Sequence, residues 1–309
     1  MGAIVKACSV NVTVGNTGKE CDTAMAATAM LIALHSTVKF DDQDLADPVP
    51  WMQGLIHDRV AFPIFGQEAP IRTITNNAES DVLVTLDDGL QVFLRYGVYN
   101  RIFETTSGGF CYAKSLQSFN KSGYRILELD QTGQMLARKN SDGTYSGFIT
   151  DFMYAPSPIW ADFKNTPYKN RFQISYSPVE VVNNGIIFQG AEELLSMMGL
   201  IDVELILVPP PTTTVIKVNV RTECAGTDLV TLYGTKLAEP GMFVVRDDTG
   251  AAIATVQTVD STNRLVSISG TFVSGKTYTV AGGAPTLWYD EGVEGYDAST
   301  AGMLNVTIP

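Results

Sequence analysis

The residues able to do chemistry are few and badly spaced for it. The chain has two histidines, His35 and His57. A Ser/His/Asp or Cys/His triad would have to use one of them. His35 falls near the end of an Ala-rich run, where a contact with a helix C-terminus explains it. His57 stands beside Asp58, and adjacent residues rarely aim at each other well enough for base catalysis. No G-x-S-x-G elbow occurs. Gly15-Asn16-Thr17-Gly18-Lys19 looks like a phosphate loop. However, Thr13 stands where its first Gly belongs and Glu20 where Ser or Thr should bind the metal. Asp41, Asp42, Asp44 and Asp47 offer hard oxygen ligands but lack the EF-hand spacing and its Gly. Asp87/Asp88 and Asp247/Asp248 sit at turns, and Glu192-Glu193 opens a helical run, where such residues are expected structurally. The expectation is a chain with no catalytic residues, no metal and no cofactor.

The four cysteines, Cys8, Cys21, Cys111 and Cys224, form no C-x-x-C pair. Zinc sites need close ligand pairs. Wide spacing is read here as four buried thiols, with a Cys8–Cys21 bridge as the alternative. Lys and Arg total 21 against 33 Asp and Glu, a net charge of -12. Non-specific nucleic-acid binding needs clustered basic residues, and no cluster is present. The longest nearly apolar run, Ala24 to Leu34, is far short of the ~20 residues that span a bilayer. Met1–Val10 has no apolar signal core. Synthesis in the cytoplasm, without membrane contact, is expected.

The elements that would position any site read as mainly β. The N-terminal part is α+β with short helices, and the C-terminal part is an Ig-like β-sandwich. Residues 1–208 form a β-rich domain, residues 209–214 a Pro/Thr linker and residues 215–309 the sandwich. The linker rests on Pro209-Pro210-Pro211, which can neither continue a helix nor donate to a ladder. In the N-terminal part, Ile4–Val14 alternates as a strand, and Asp22 caps a helix running to His35. Val82–Leu86 and Leu90–Tyr96 flank Asp87-Asp88-Gly89 as a hairpin. Gly109–Phe119 is a short helix. Tyr124–Asp130, Gln134–Lys139 and Thr144–Asp151 are strands joined by Gly-containing turns. Arg171–Ser177, Val179–Val182 and Val203–Val208 are strands, and Ala191–Met198 is a helix. After the linker come Val215–Val220, Asp228–Tyr233, Met242–Arg246, Ala252–Val259, Arg264–Ser269, Thr277–Val280 and Leu304–Ile308. These make about seven short strands, the number an Ig-like sandwich needs.

Residues 40–70 read as a long loop, apolar yet aperiodic, with Trp51, Met52, Leu55, Ile56, Phe62 and Phe65. Such a segment either folds onto its own domain or docks on another subunit, and these six are the candidate assembly residues. Scattered aromatics such as Phe93 and Phe172 are expected to fill cores. Gly282–Gly302 sets Trp288, Tyr289 and Tyr296 among acidic residues, a candidate ligand loop for a glycan or receptor.

This layout resembles the tail tube proteins of tailed bacteriophages: a β-rich domain with short helices, a long early loop and a proline linker into an Ig-like domain. The resemblance covers most of the chain and rests on layout, with no single motif carrying it. It implies self-assembly into stacked, hexameric rings, other virion proteins as partners, and DNA passing through an acidic lumen without specific binding. The chain would be made in the host cytoplasm and end in the virion. Asp87, Asp88 and Asp142, at hairpin tips, become candidate lumen residues, and the 40–70 loop a ring-to-ring contact. A capsid-decorating or minor virion protein fits the same layout, as does a receptor- or glycan-binding module.

Overall fold

The computed structural model describes residues 3–9, 25–120, 123–150, 152–162, 167–176, 178–299 and 302–309. The chain is mainly β and divides into two compact units, residues 1–199 and 200–309.

In the first unit the strands are β1 (Val5–Ser9), β2 (Thr28–His35), β3 (Ala61–Phe65), β4 (Thr73–Ala78), β5 (Val82–Thr85), β6 (Gln91–Arg95) and β7 (Tyr99–Thr105). There follow β8 (Tyr124–Asp130), β9 (Met135–Lys139), β10 (Tyr145–Ser146), β11 (Phe148–Ile149), β12 (Phe152–Tyr154), β13 (Asn170–Tyr176) and β14 (Gly185–Gln189). The helices are α1 (Pro48–His57), α2 (Gly109–Gln117) and α3 (Pro178–Asn184). One sheet runs β1-β14-β9-β8-β2-β3, with β10 on β9 and β11 on β8. A second runs β12-β13-β7-β4. Their facing sides, with α2, share a core that includes Leu31, Phe65, Phe103, Ile126, Phe148 and Phe172.

The run Thr28–His35 is a strand, where its Ala, Met and Leu content predicts a helix. It lies between β3 and β8, and both faces are buried from Met30 to Leu34. A strand covered on both sides needs no polar alternation, so composition alone misassigns it. The helix predicted from Asp22 begins outside the described residues. The 40–70 segment also departs from its reading as a loop. Pro48 opens α1, where a missing N–H costs nothing. Pro48, Met52 and Ile56, at i, i+4 spacing, form its buried side. Phe40 bridges this region to the sheet through ring contacts with Trp51 and Phe188 at 5.0 and 6.5 Å. Val179–Val182, expected as a strand, lies in α3 behind its N-terminal Pro178. Ala191–Met198 contributes a short 3-10 turn, Glu192–Ser196.

The second unit contains β15 (Ile201–Leu207), β16 (Val215–Thr222), β17 (Phe243–Arg246), β18 (Ala252–Ile253), β19 (Val256–Asp260), β20 (Leu265–Ser269), β21 (Thr277–Gly282), β22 (Tyr296–Asp297) and β23 (Leu304–Thr307). Among the described residues it also has two short α-helices, α4 (Leu229–Tyr233) and α5 (Pro285–Asp290), and a 3-10 turn, Gly234–Ala238. Its sheets run β19-β20-β16-β15-β22 and β18-β17-β21-β23, and one core draws on both. The unit begins before the prolines. β15 pairs antiparallel with β16, so 209–214 connects neighbouring strands inside one unit and is not an interdomain linker. A stiff proline run closes this turn as readily as it spaces domains. Asp228–Tyr233, expected as a strand, is α4; the Asp228 side chain accepts from Val230 N at 2.9 Å and caps it. Ala252–Val259 splits, with β18 staying on β17 and β19 crossing to the other sheet.

Cys111 and Cys224 are each half of a disulfide, and both lie at the surface. The reading of buried thiols is therefore wrong for these two. Cys111 stands in the first turn of α2 and Cys224 in the turn after β16, positions the core does not reach. Cys21 and the side chain of Cys8 lie outside the described residues. Among the described residues no helix is long and apolar enough to cross a membrane.

Candidate assembly site

The hairpin predicted at 82–96 forms, and its surroundings are what the sequence does not show. β4 and β7 pair from Thr73↔Glu104 to Ala78↔Tyr99. The ladder continues outward in the same register, through Glu79 N to Val98 O at 3.0 Å and on to Val82↔Arg95. One residue slips at Leu94, a bulge, after which Leu83 faces Phe93 and Val84 faces Val92. β4 to β7 thus form a two-stranded ribbon of two ladders that share one register across the irregular residues 79–81 and 96–98. Its base belongs to the second sheet, and its outer part, residues 79–98, is an arm of roughly 30 Å at ~3.3 Å per residue. Gly97 permits the close crossing at the arm's base, where a Cβ would lie 1.9 Å from the Glu79 carbonyl oxygen. Gly89, at φ +84, closes the tip behind Asp87 and Asp88.

Among the described residues neither strand of the outer arm pairs with anything but the other. Between Ala69 and Phe103 no described apolar side chain is buried. Leu90 and Leu94 are each 59% exposed, with Leu83, Leu86 and Phe93 close behind. Alternation puts Val82, Val84, Leu86, Leu90, Val92 and Leu94 on one side of the ribbon. Leu83 and Phe93 lie on the other, where Phe93 also stacks on Tyr96 at 4.5 Å. Isolated hairpins are marginal in water, and exposed apolar patches of this extent mark interaction surfaces.

The six loop residues proposed for assembly are elsewhere. Met52, Ile56 and Phe65 are buried in the first unit, and Trp51, Leu55 and Phe62 are half-buried there. Phe62 packs on Phe119 and Tyr124. The segment folds back because its own sheet has an apolar face to cover. Of the acidic candidates, Asp87 and Asp88 are exposed at the arm tip, and Asp88 accepts from Leu90 N at 2.9 Å. Asp142 is in a different turn and pairs with Lys39 at 2.6 Å. That ammonium, with the Thr144 hydroxyl and amide, holds its carboxyl well below the usual range.

The candidate ligand loop also dissolves. Trp288 is fully buried; its indole Nε1 donates to Met242 O at 3.0 Å and its ring meets Phe243 edge-on. Tyr289 and Tyr296 are half-buried, and Tyr296 stacks on Tyr233 at 5.6 Å. We expect Trp288→Ala to cost about 3–5 kcal/mol, as large-to-small core substitutions do, measured by urea unfolding.

The sequence reading overlooked one buried charge centre. Glu128 on β8 is 1% exposed. It accepts from Arg101 of β7, from Tyr176 OH at 2.7 Å and from Thr28 Oγ1 at 2.8 Å. Arg101 also donates to Thr28 Oγ1 and Asn76 Oδ1. Burial first, and then the Glu128 charge, push the Tyr176 hydroxyl far above its ordinary pKa, so it stays a proton donor. Two cavities of about 400 and 320 Å³ share Asn76, Arg101, Glu128 and Leu136 in their walls. Each polar group is already turned to another, and the constellation ties one sheet to the other. The sequence pattern points the other way: Glu128 and Asp130 alternate with Leu127 and Leu129 as a solvent-facing side would, and only the sheet packing buries both faces of β8. Among the described residues no group of three or more His, Cys, Asp or Glu could hold a metal ion.

Asp130, at the end of the same strand, accepts from Ala26 N, Thr132 N and Oγ1, and Gln134 N, all within 2.9 Å. Burial raises its pKa, but these donors outweigh it and hold the carboxyl below the ordinary value of 3.8. Its contribution is thus complete above about pH 4 and lost as pH falls through the lower folded value. We expect the melting temperature to fall steeply below pH 4. Asp130→Asn should lower the neutral-pH plateau and flatten that slope, measured as Tm against pH.

No family model and no curated protein matches this chain.

Proposed function

We propose that this chain is a non-enzymatic structural protein that self-assembles through the β5–β6 arm. The observation that carries the reading is the arm itself, a paired ribbon with large apolar side chains exposed on both faces and free strand edges. Such a ribbon is unfavourable in water alone and gains when another subunit covers it or extends its ladder. No poised catalytic group competes with this reading among the described residues. His35 bonds the neighbouring Thr37 hydroxyl at 2.8 Å. The Glu128 centre satisfies itself.

The specific assembly we propose is the tail tube of a tailed bacteriophage, subunits stacked as hexameric rings around a DNA conduit. Support comes from the β-rich layout and from the net charge of -12, which repels a phosphate backbone. Asp87 and Asp88 at the arm tip are the lumen candidates. Asp142, neutralised by Lys39, contributes little field. Other virion proteins would be the further partners, and assembly would take place in the host cytoplasm. Negative-stain electron microscopy with light scattering on the purified chain tests this. Rings or tubes are the expected result. A strict monomer at all concentrations would overturn self-assembly and favour a decorating role on another protein's lattice.

A further inference from the structure

We infer that the aliphatic side of the arm is covered by the outer, aromatic side of the β12-β13-β7-β4 sheet of a second copy, so that subunits join head to tail. The inference rests on the self-assembly reading above and adds to it the identity of the receiving surface.

The register supplies the first argument. Along the ribbon's base, Ile74, Asn76, Arg101 and Phe103 fall on the side that faces the larger sheet. Because the register continues unshifted to Val82↔Arg95, alternation carries that same side outward to Val82, Val84 and Leu86. The aliphatic side of the arm is therefore a core-facing side that has outrun its cover. What it lacks is another sheet face about 10 Å away.

The same unit exposes a face of that kind. On β12, Met153 points into the core, while Phe152 and Tyr154 point out, 47% and 40% exposed, with ring centroids 5.7 Å apart. Pairing sets Tyr154 beside Gln173 and Gln173 beside Ile102, so the patch continues across the sheet. Among the described residues β12 is an edge strand, bonded only to β13.

The same chain supplies both apolar surfaces, and charge permits their contact between copies. A chain of net charge -12 repels itself, so a self-contact must use surfaces without uncompensated carboxylates. The aliphatic side of the arm has no carboxylate, and Glu104, on the outer side two residues from Ile102, is neutralised by Lys169 at 2.6 Å. By register the aliphatic side of the arm continues the core-facing side of the β4–β7 pair, while the patch lies on the outer side of that sheet, so a single chain does not bring them together. Contact between unlike surfaces is heterologous and propagates into a ring or a filament.

A mixing experiment tests this. Val84→Glu with Val92→Lys charges the arm while keeping a favourable cross-strand pair, so the ribbon persists. Phe152→Glu with Tyr154→Lys charges the patch at exposed positions. Gln173→Arg is a second, milder patch variant. Circular dichroism and thermal melts establish that each is folded. Each doubly substituted variant alone should be monomeric by light scattering, and Gln173→Arg should raise the concentration needed for assembly by tenfold or more. An equimolar mixture of the arm and patch variants should give a dimer and nothing larger, because only one intact contact remains. Wild-type assembly by both patch variants would overturn the proposal, as would a mixture that stays monomeric. If the arm variant alone still fails to assemble in that case, self-assembly through the arm survives. A monomeric wild type overturns both.

Discussion

Replacing residues 82–95 with an Asn-Gly turn is expected to abolish self-association while leaving the melting temperature of the remaining chain within a few degrees of wild type. The two halves of the result have separate causes. The cut falls between Asp81 and Tyr96, which the register common to the two ladders sets opposite each other, so a two-residue turn can close the ribbon there. The removed residues supply no buried apolar side chain, so the core is untouched. Surface changes outside a packed core usually shift stability by no more than ~0.5 kcal/mol. Association is different, because among the described residues the arm presents the longest exposed apolar stretch. Covering one leucine is worth about 1.5–3 kcal/mol, so several covered together supply much of an oligomer's binding energy. Sedimentation velocity over a concentration series is the measurement. A truncated chain that still forms wild-type oligomers would show that the arm is not the contact. A large loss of Tm would show that the arm is packed on its own domain.

Glu128→Ala should destabilise the first unit by about 3–5 kcal/mol, the cost of stranding one partner of a buried ion pair. That is a large share of the ~5–15 kcal/mol available to a domain. The substitution leaves Arg101, its side chain only 22% exposed, without its counter-charge, and removes the acceptor of Tyr176 OH. Arg101→Met together with Glu128→Leu should recover most of the loss, since removing both charges removes the desolvation cost as well. Urea unfolding of wild type, Arg101→Met, Glu128→Leu and the chain carrying both substitutions closes a double-mutant cycle and gives the coupling. A single-variant loss below ~1 kcal/mol would mean that the centre does not hold the sheets together. Activity is not needed as a readout, because the role assigned to Glu128 is architectural.

Several elements were legible from local pattern. The hairpin at Asp87-Asp88-Gly89 and the turns at Gly133, Gly143 and Gly250 follow from residues that tolerate positive φ, as those glycines do. Alternation in Val215–Thr222 announced β16, and α2 followed from its composition and stop signals. The candidate sites fared differently. Trp288 in an acidic, Gly-rich segment looked like a ligand residue, but the same large apolar ring makes an equally good core residue. Only the position of Met242 and Phe243, more than forty residues away, decides between them.

What the sequence by itself determined is the mainly β character, most turns and the existence of the arm hairpin, because these depend on neighbours in the chain. What the tertiary structure decided is which apolar segments are covered. Thr28–His35 became a strand because sheet neighbours flank it and both its faces are buried, which erases the period that distinguishes strand from helix. The 40–70 segment was buried because the larger sheet had a bare face to offer it. Val82–Leu94, no less apolar, was left exposed because the ribbon runs past the edge of the sheet that covers its base. Whether an alternating apolar strand is core or contact surface depends on how far its neighbour reaches, and no local pattern encodes that distance.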